Sequence, residues 1–130
     1  MNPNAPPPPP LDDTLRLFQR ELNSDAYLPD TAYRRNTGIY PLVCYVNSIG
    51  ATLCSGRYEV TALFVARAAE HMGSVSARDD ERSYYDLVSR YLAHVIYCIR
   101  SSGRAVDFDA QRIPAWMLSA GPQSLPARGV

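Results

Sequence analysis

Few residues in this chain have side chains suited to proton transfer, nucleophilic attack or metal binding. They are His71 and His94, the cysteines Cys44, Cys54 and Cys98, and the acidic pairs Asp12-Asp13 and Asp79-Asp80. The histidines fall in different helical segments, with no serine, cysteine or carboxylate at a recognisable catalytic spacing. The cysteines form no CxxC and no zinc-ligand pattern, so they read as small buried or half-buried hydrophobes in a reducing compartment. Both acidic pairs stand where helices begin, and capping accounts for them without acid-base chemistry. No GxSxG, HExxH, GxGxxG or EF-hand loop is present. All 13 basic residues are arginines, which excludes Schiff-base chemistry and a lysine-bearing phosphate loop. The pattern points away from an enzyme and calls for no metal and no cofactor.

The elements that position these residues belong to one domain, the most that 130 residues can enclose around a core. The 13 arginines balance 13 acidic residues, so no net positive field draws the chain to nucleic acid or an anionic membrane. The start, MNPNAPPPPP, lacks the charged-then-apolar order of a secretory signal, and no apolar run reaches the roughly 18 residues a membrane span needs. A soluble, cytoplasmic protein without a transmembrane anchor is expected.

Residues 1–10 read as a disordered proline-rich leader, residues 11–119 as the folded domain and residues 120–130 as a loose tail. In LDDTLRLFQRELNSDAY, Leu11, Leu15, Phe18 and Leu22 repeat at helical spacing behind two aspartates, which predicts an amphipathic first helix. Residues 28–39 hold at most a short helix starting near Asp30. The apolar run Tyr40–Ile49 fits strand or helix by period; it is taken as helix, with Pro41 in the first turn, because an isolated strand would have no partner. In CSGRYEVTALFVARAAEHM the stretch Val60–Ala66 carries no charge on any side, the mark of a helix enclosed by others. ERSYYDLVSRYLAHVIYCIR is a long amphipathic helix stopped by Gly103 in a left-handed cap, and a last turn forms around AWML. Nine tyrosines outnumber three phenylalanines and one tryptophan, a surplus that suits either a helical core or a partner-binding surface.

The order of these pieces resembles the Bcl-2 family of apoptosis regulators, above all its short, divergent viral members, over about residues 11–113. LRLFQRELNSDAY is similar to the family's first homology region. CSGRYEVTALF resembles the Asn-Trp-Gly-Arg signature, keeping Gly56 and Arg57. RYLAHVIYCIRSSGRAVDF resembles the stretch ending in Trp-Ile-x-x-x-Gly-Gly-Trp, keeping Ile99, Gly103 and Phe108. YPLVCYVNSIGATL is similar to the helix lining the groove floor. The resemblance implies an all-α Bcl-2-like bundle around a central hydrophobic helix, with the family's second to fourth helices shortened.

It also implies a function: an apoptosis inhibitor, encoded by a virus, that sequesters the BH3 helix of a Bim-like or Bak/Bax-like pro-apoptotic protein, with narrow ligand selectivity. The helix would enter a hydrophobic groove, with Arg57 receiving its aspartate and Gly56, Val60, Phe64, Cys44, Asn47 and Ser48 lining the slot. A cation such as Arg57 opposes the dipole at a helix N-terminus and needs a reason to be there. Bare groove surface left by the missing wall would invite a second copy, giving a homodimer. The expected location is the host cytoplasm, at most peripheral at mitochondria. A small helical adaptor assembling through a tyrosine-rich surface is the competing expectation.

Overall fold

A computed structural model of the chain describes residues 12–24, 26–28 and 38–126. The proline-rich leader and the segment around Asp30 lie outside the described residues. Among those described, the chain is an all-α bundle of α1 (Asp13–Leu22), α2 (Ile39–Cys54), α3 (Tyr58–Ser74), α4 (Arg82–Ser101) and α5 (Ala115–Ser119). A short 3-10 turn, Asp79–Glu81, leads into α4. No helix among them is long and apolar enough to cross a membrane.

Local chemistry sets the boundaries. Asp12 caps α1, its carboxylate accepting the Leu15 N–H at 2.7 Å, and Leu15, Phe18 and Leu22 form the buried stripe. The ambiguous run from Tyr40 is helical, with Pro41 in the first turn, and continues through Gly50 to Cys54. Gly50 allows α1 to approach: a Cβ there would meet Gln19 Nε2 at 3.3 Å. The helix ends in a Schellman motif. Gly56 adopts φ 74°, its N–H donating to the Leu53 carbonyl, while the Arg57 N–H donates to the Thr52 carbonyl. That reversal folds α3 back on α2, and the buried Thr61 hydroxyl clasps the Thr52 hydroxyl at 2.8 Å across the hairpin.

The structure assigns the enclosed position to a different helix from the one expected. In α3 the buried residues are Tyr58, Thr61, Ala62, Val65, Ala66, Ala68 and Ala69, whereas Leu63 is 49% exposed and Val60 and Phe64 are half-buried. Absence of charge did not produce enclosure, because α3 buries one face, with Tyr58, Val65 and its alanines inward, and turns Leu63 out to solvent. The central helix is α4, where every residue from Tyr91 to Ile96 is buried. Its charged pair Asp86 and Arg90 sits one turn apart, joined at 3.2 Å. Around α4 lie α1, through the Phe18 and Tyr91 rings at 5.9 Å, and α5, whose Leu118 carbonyl accepts from Arg100.

Of the expected tail, residues 120–126 lie among the described residues. The backbone N–H of Gln123 donates to His94 Nδ1 at 3.0 Å, and Leu125 packs against the core.

This assignment of the centre makes a quantitative prediction. Ile96→Ala is expected to cost about 2–5 kcal/mol of folding stability, and Leu63→Ala less than about 1 kcal/mol. Urea denaturation of both variants measures the contrast, and comparable losses would place the two helices on an equal footing.

Candidate functional site

The chain contains the tripeptide Ser-Gly-Arg twice, at residues 55–57 and 102–104. Each copy ends a long helix. Gly56 and Gly103 take φ 74° and 80°, the left-handed conformation that closes a helix, and each is followed by an arginine thrown clear of the helix it terminates. The bundle brings the two together. Gly56 to Val60 and Ser102 to Val106 line one cavity of about 690 Å³.

Its chemistry is mixed. Arg57 stands exposed at the N-cap of α3, and that helix start has no side-chain cap. Arg104 lies with its guanidinium carbon 4.6 Å from the centre of the buried Tyr58 ring, a cation-π contact. Neither arginine forms an ion pair with a described carboxylate. Glu59 is the acidic residue in the lining, and Val60, Ala105 and Val106 supply apolar wall. The Tyr58 hydroxyl and Arg104 Nε are buried without a hydrogen-bond partner. Burial pushes the Tyr58 phenol pKa up, and the Arg104 charge partly offsets that. Two cations held at an uncapped helix start, beside apolar wall, suit a carboxylate on an otherwise apolar segment.

Of the residues the resemblance implied, Gly56, Arg57 and Val60 share this cavity. Phe64 sits one turn further along α3, half-buried against the Tyr45 ring at 6.5 Å. Ser48 is half-buried on α2, and its carbonyl accepts from the Thr52 hydroxyl. Cys44 and Asn47 are exposed, and Asn47 instead lines a recess of about 270 Å³ with Gln19, Asn23 and Cys54. The helical period explains the split: Tyr45 and Thr52 meet α3, which turns Asn47 and its neighbours Ala51 and Cys54 toward α1. Arg104 was missed, although the repeated Ser-Gly-Arg was a signal that could have found it.

A second polar cluster shares no residue with the cavity. Asp12 Oδ2 lies 3.0 Å from His94 Nε2 and accepts from the Cys98 thiol at 3.7 Å. The sequence reading found no partner for His94, because Asp12 reaches it from the far end of the chain. Burial works to raise the Asp12 carboxyl pKa, but donation from the Leu15 amide, together with His94 and Cys98, outweighs it and holds the group low. Burial and the Asp12 charge push the Cys98 thiol pKa up to about 12. Cys44 and Cys54, expected to be at least half-buried, are exposed free thiols. His71 is structural: its Nε2 donates to the Gly38 carbonyl at 2.8 Å and ties α3 to the start of α2.

Two outcomes follow from these environments. Alkylation at pH 8 should modify Cys44 and Cys54 and spare Cys98, as read by mass spectrometry of the native protein. Tyr58→Phe, which deletes an unpaired buried hydroxyl, should leave stability unchanged or raise it by up to about 1 kcal/mol in a denaturant titration. The chain matches no protein-family model, no curated protein and no solved structure, so the residues themselves carry any assignment.

Proposed function

We propose that this protein inhibits apoptosis, in the manner of a short viral Bcl-2 homologue, by sequestering the BH3 helix of a pro-apoptotic protein. The observation that carries the reading is the convergence of Gly56-Arg57 with Ser102 to Val106 on one cavity. These stretches resemble two of the family's signatures, and they are far apart in sequence. Arg57 faces that cavity with no ion pair of its own, in keeping with a role in receiving an aspartate from outside.

The exposed side of α3 supports the same reading. Val60, Leu63 and Phe64 stand at i, i+3 and i+4, beginning at the cavity and running along the helix with Leu63 open to solvent. An amphipathic partner helix would set its apolar anchors on this ledge and its acidic residue at Arg57, as helix-in-groove recognition requires. Arg104, stacked on Tyr58, adds a second fixed cation on the same side. The ligand floor is then drawn from α3 and residues 102–106, with Cys44 and Asn47 outside it.

The competing adaptor reading would have fewer tyrosines to draw on. Tyr58, Tyr84, Tyr85 and Tyr91 are buried, and Tyr40, at 46% exposure, is the most open of the described tyrosines.

A panel of fluorescent BH3 peptides tests the proposal. Binding in the nanomolar to low micromolar range is expected. Arg57→Ala should weaken it at least tenfold, consistent with the roughly 2–5 kcal/mol lost when one partner of a desolvated charge pair is removed. Sedimentation velocity on the same samples should show whether a second copy covers the ledge without peptide. No binding across the panel would rule the proposal out.

A further inference from the structure

The cluster at Asp12, His94 and Cys98 combines three kinds of donor. A carboxylate oxygen, an imidazole nitrogen and a thiol sulfur lie within 4.8 Å of one another. His94 and Cys98 occupy successive turns of α4 and are buried, at 2% and 8% exposure. Asp12 comes from the cap of α1, and its side chain remains 41% exposed, which leaves a route from solvent. The ring state is fixed by the neighbours. His94 Nδ1 accepts the Gln123 N–H at 3.0 Å, so the proton of the neutral imidazole sits on Nε2 and points at Asp12.

We propose that this triad binds one divalent transition-metal ion of the zinc type, and that loading it detaches Gln123 from α4. The proposal is independent of the helix-binding reading.

Donor chemistry selects the ion. Nitrogen and sulfur donors suit zinc or cobalt, whereas magnesium and calcium require shells of oxygen. Bond lengths of about 2.0–2.3 Å in a tetrahedral site place donors about 3.3–3.8 Å apart. The separations from Asp12 Oδ2 are 3.0 Å to His94 and 3.7 Å to Cys98, so small movements of side chains already in place complete the set. Charge also balances, since one carboxylate and one thiolate neutralise a divalent cation while the imidazole stays neutral. Three protein donors leave a fourth position for an exchangeable ligand.

Proton accounting gives the coupling. Without a cation the thiol donates its proton in a hydrogen bond to Asp12 Oδ2 at 3.7 Å. A metal takes the place of that proton, which leaves to solvent, so one proton is released per ion bound. Coordination through Nε2 moves the imidazole proton to Nδ1, where it meets the N–H of Gln123. Two donors cannot share that hydrogen bond, and the backbone at Gln123 must withdraw. Phe18 and Tyr97, whose rings lie 5.9 Å from the imidazole, offer it no alternative charged partner.

The test uses the full reduced chain carrying Cys44→Ser and Cys54→Ser, because both exposed thiols would bind cobalt on their own. Titration with cobalt(II) should produce a sulfur-to-metal charge-transfer band that saturates at one equivalent and is removed by zinc. The Gln123 amide resonance should shift in step with zinc loading. Cys98→Ala and His94→Ala should each lower the affinity at least about tenfold with circular dichroism unchanged, and Cys98→Ser serves where the alanine variant does not fold. Absence of the band in the parent protein, or its survival without Cys98, would overturn the site. A band that saturates while the Gln123 amide stays in place would overturn the coupled release.

Discussion

Enclosing the middle of α4, Tyr91 to Ile96, on every side is the constraint from which the remaining structure follows. A helix buried all round cannot keep its polar atoms solvated, and each unpaired buried polar group costs about 1–3 kcal/mol. Tyr91 and His94 lie in the fully enclosed stretch, and both receive partners from elsewhere. Gln19 on α1 donates to the Tyr91 hydroxyl at 3.2 Å, Asp12 meets one nitrogen of His94, and Gln123 meets the other. The first helix and the last described segment are therefore held to the centre by hydrogen bonds as well as by apolar contact. Burial pushes the Tyr91 phenol pKa up to about 12.

The other long helices solve a different problem. The α2–α3 pair is closed by a glycine reversal and by the Thr52 and Thr61 hydroxyls, and the Tyr45 and Phe64 rings meet across it at 6.5 Å. Alanine at 62, 66 and 69 allows close packing on one face of α3. Leu63 is left facing outward, with Val60 and Phe64 half-buried on either side of it.

How far the sequence could be read depends on the range of the interaction concerned. Local signals worked: Asp12 as a cap, Pro41 in a first turn, Gly103 in a left-handed stop and a short helix at AWML all hold. What failed was relative burial. A charge-free run at 60–66 and a tyrosine- and histidine-bearing run at 91–97 differ in hydrophobicity in the wrong order for their positions, because burial of α4 rests on polar partners supplied by residues more than 70 positions away. The pairing of Arg57 with Arg104 was hidden for a related reason. Each Ser-Gly-Arg is legible as a helix stop, but only the bundle puts the two stops side by side. Asn47 illustrates the limit at the level of a single helix. Its helix was expected, yet the face it takes was fixed by which neighbours α2 has.

The lysine-free composition bears on how the cavity would discriminate. With net charge zero the chain has little long-range attraction for an acidic ligand, and at physiological salt fields fade over about 8 Å. The two cavity arginines therefore act only on a carboxylate already close to them. Arginine suits that role, since its planar fork matches a carboxylate and Arg104 already lies over the Tyr58 ring. A charge so local cannot choose among acidic helices by itself. On the proposed reading it would fix register, and the apolar ledge from Val60 to Phe64 would select among helices by how well they cover Leu63.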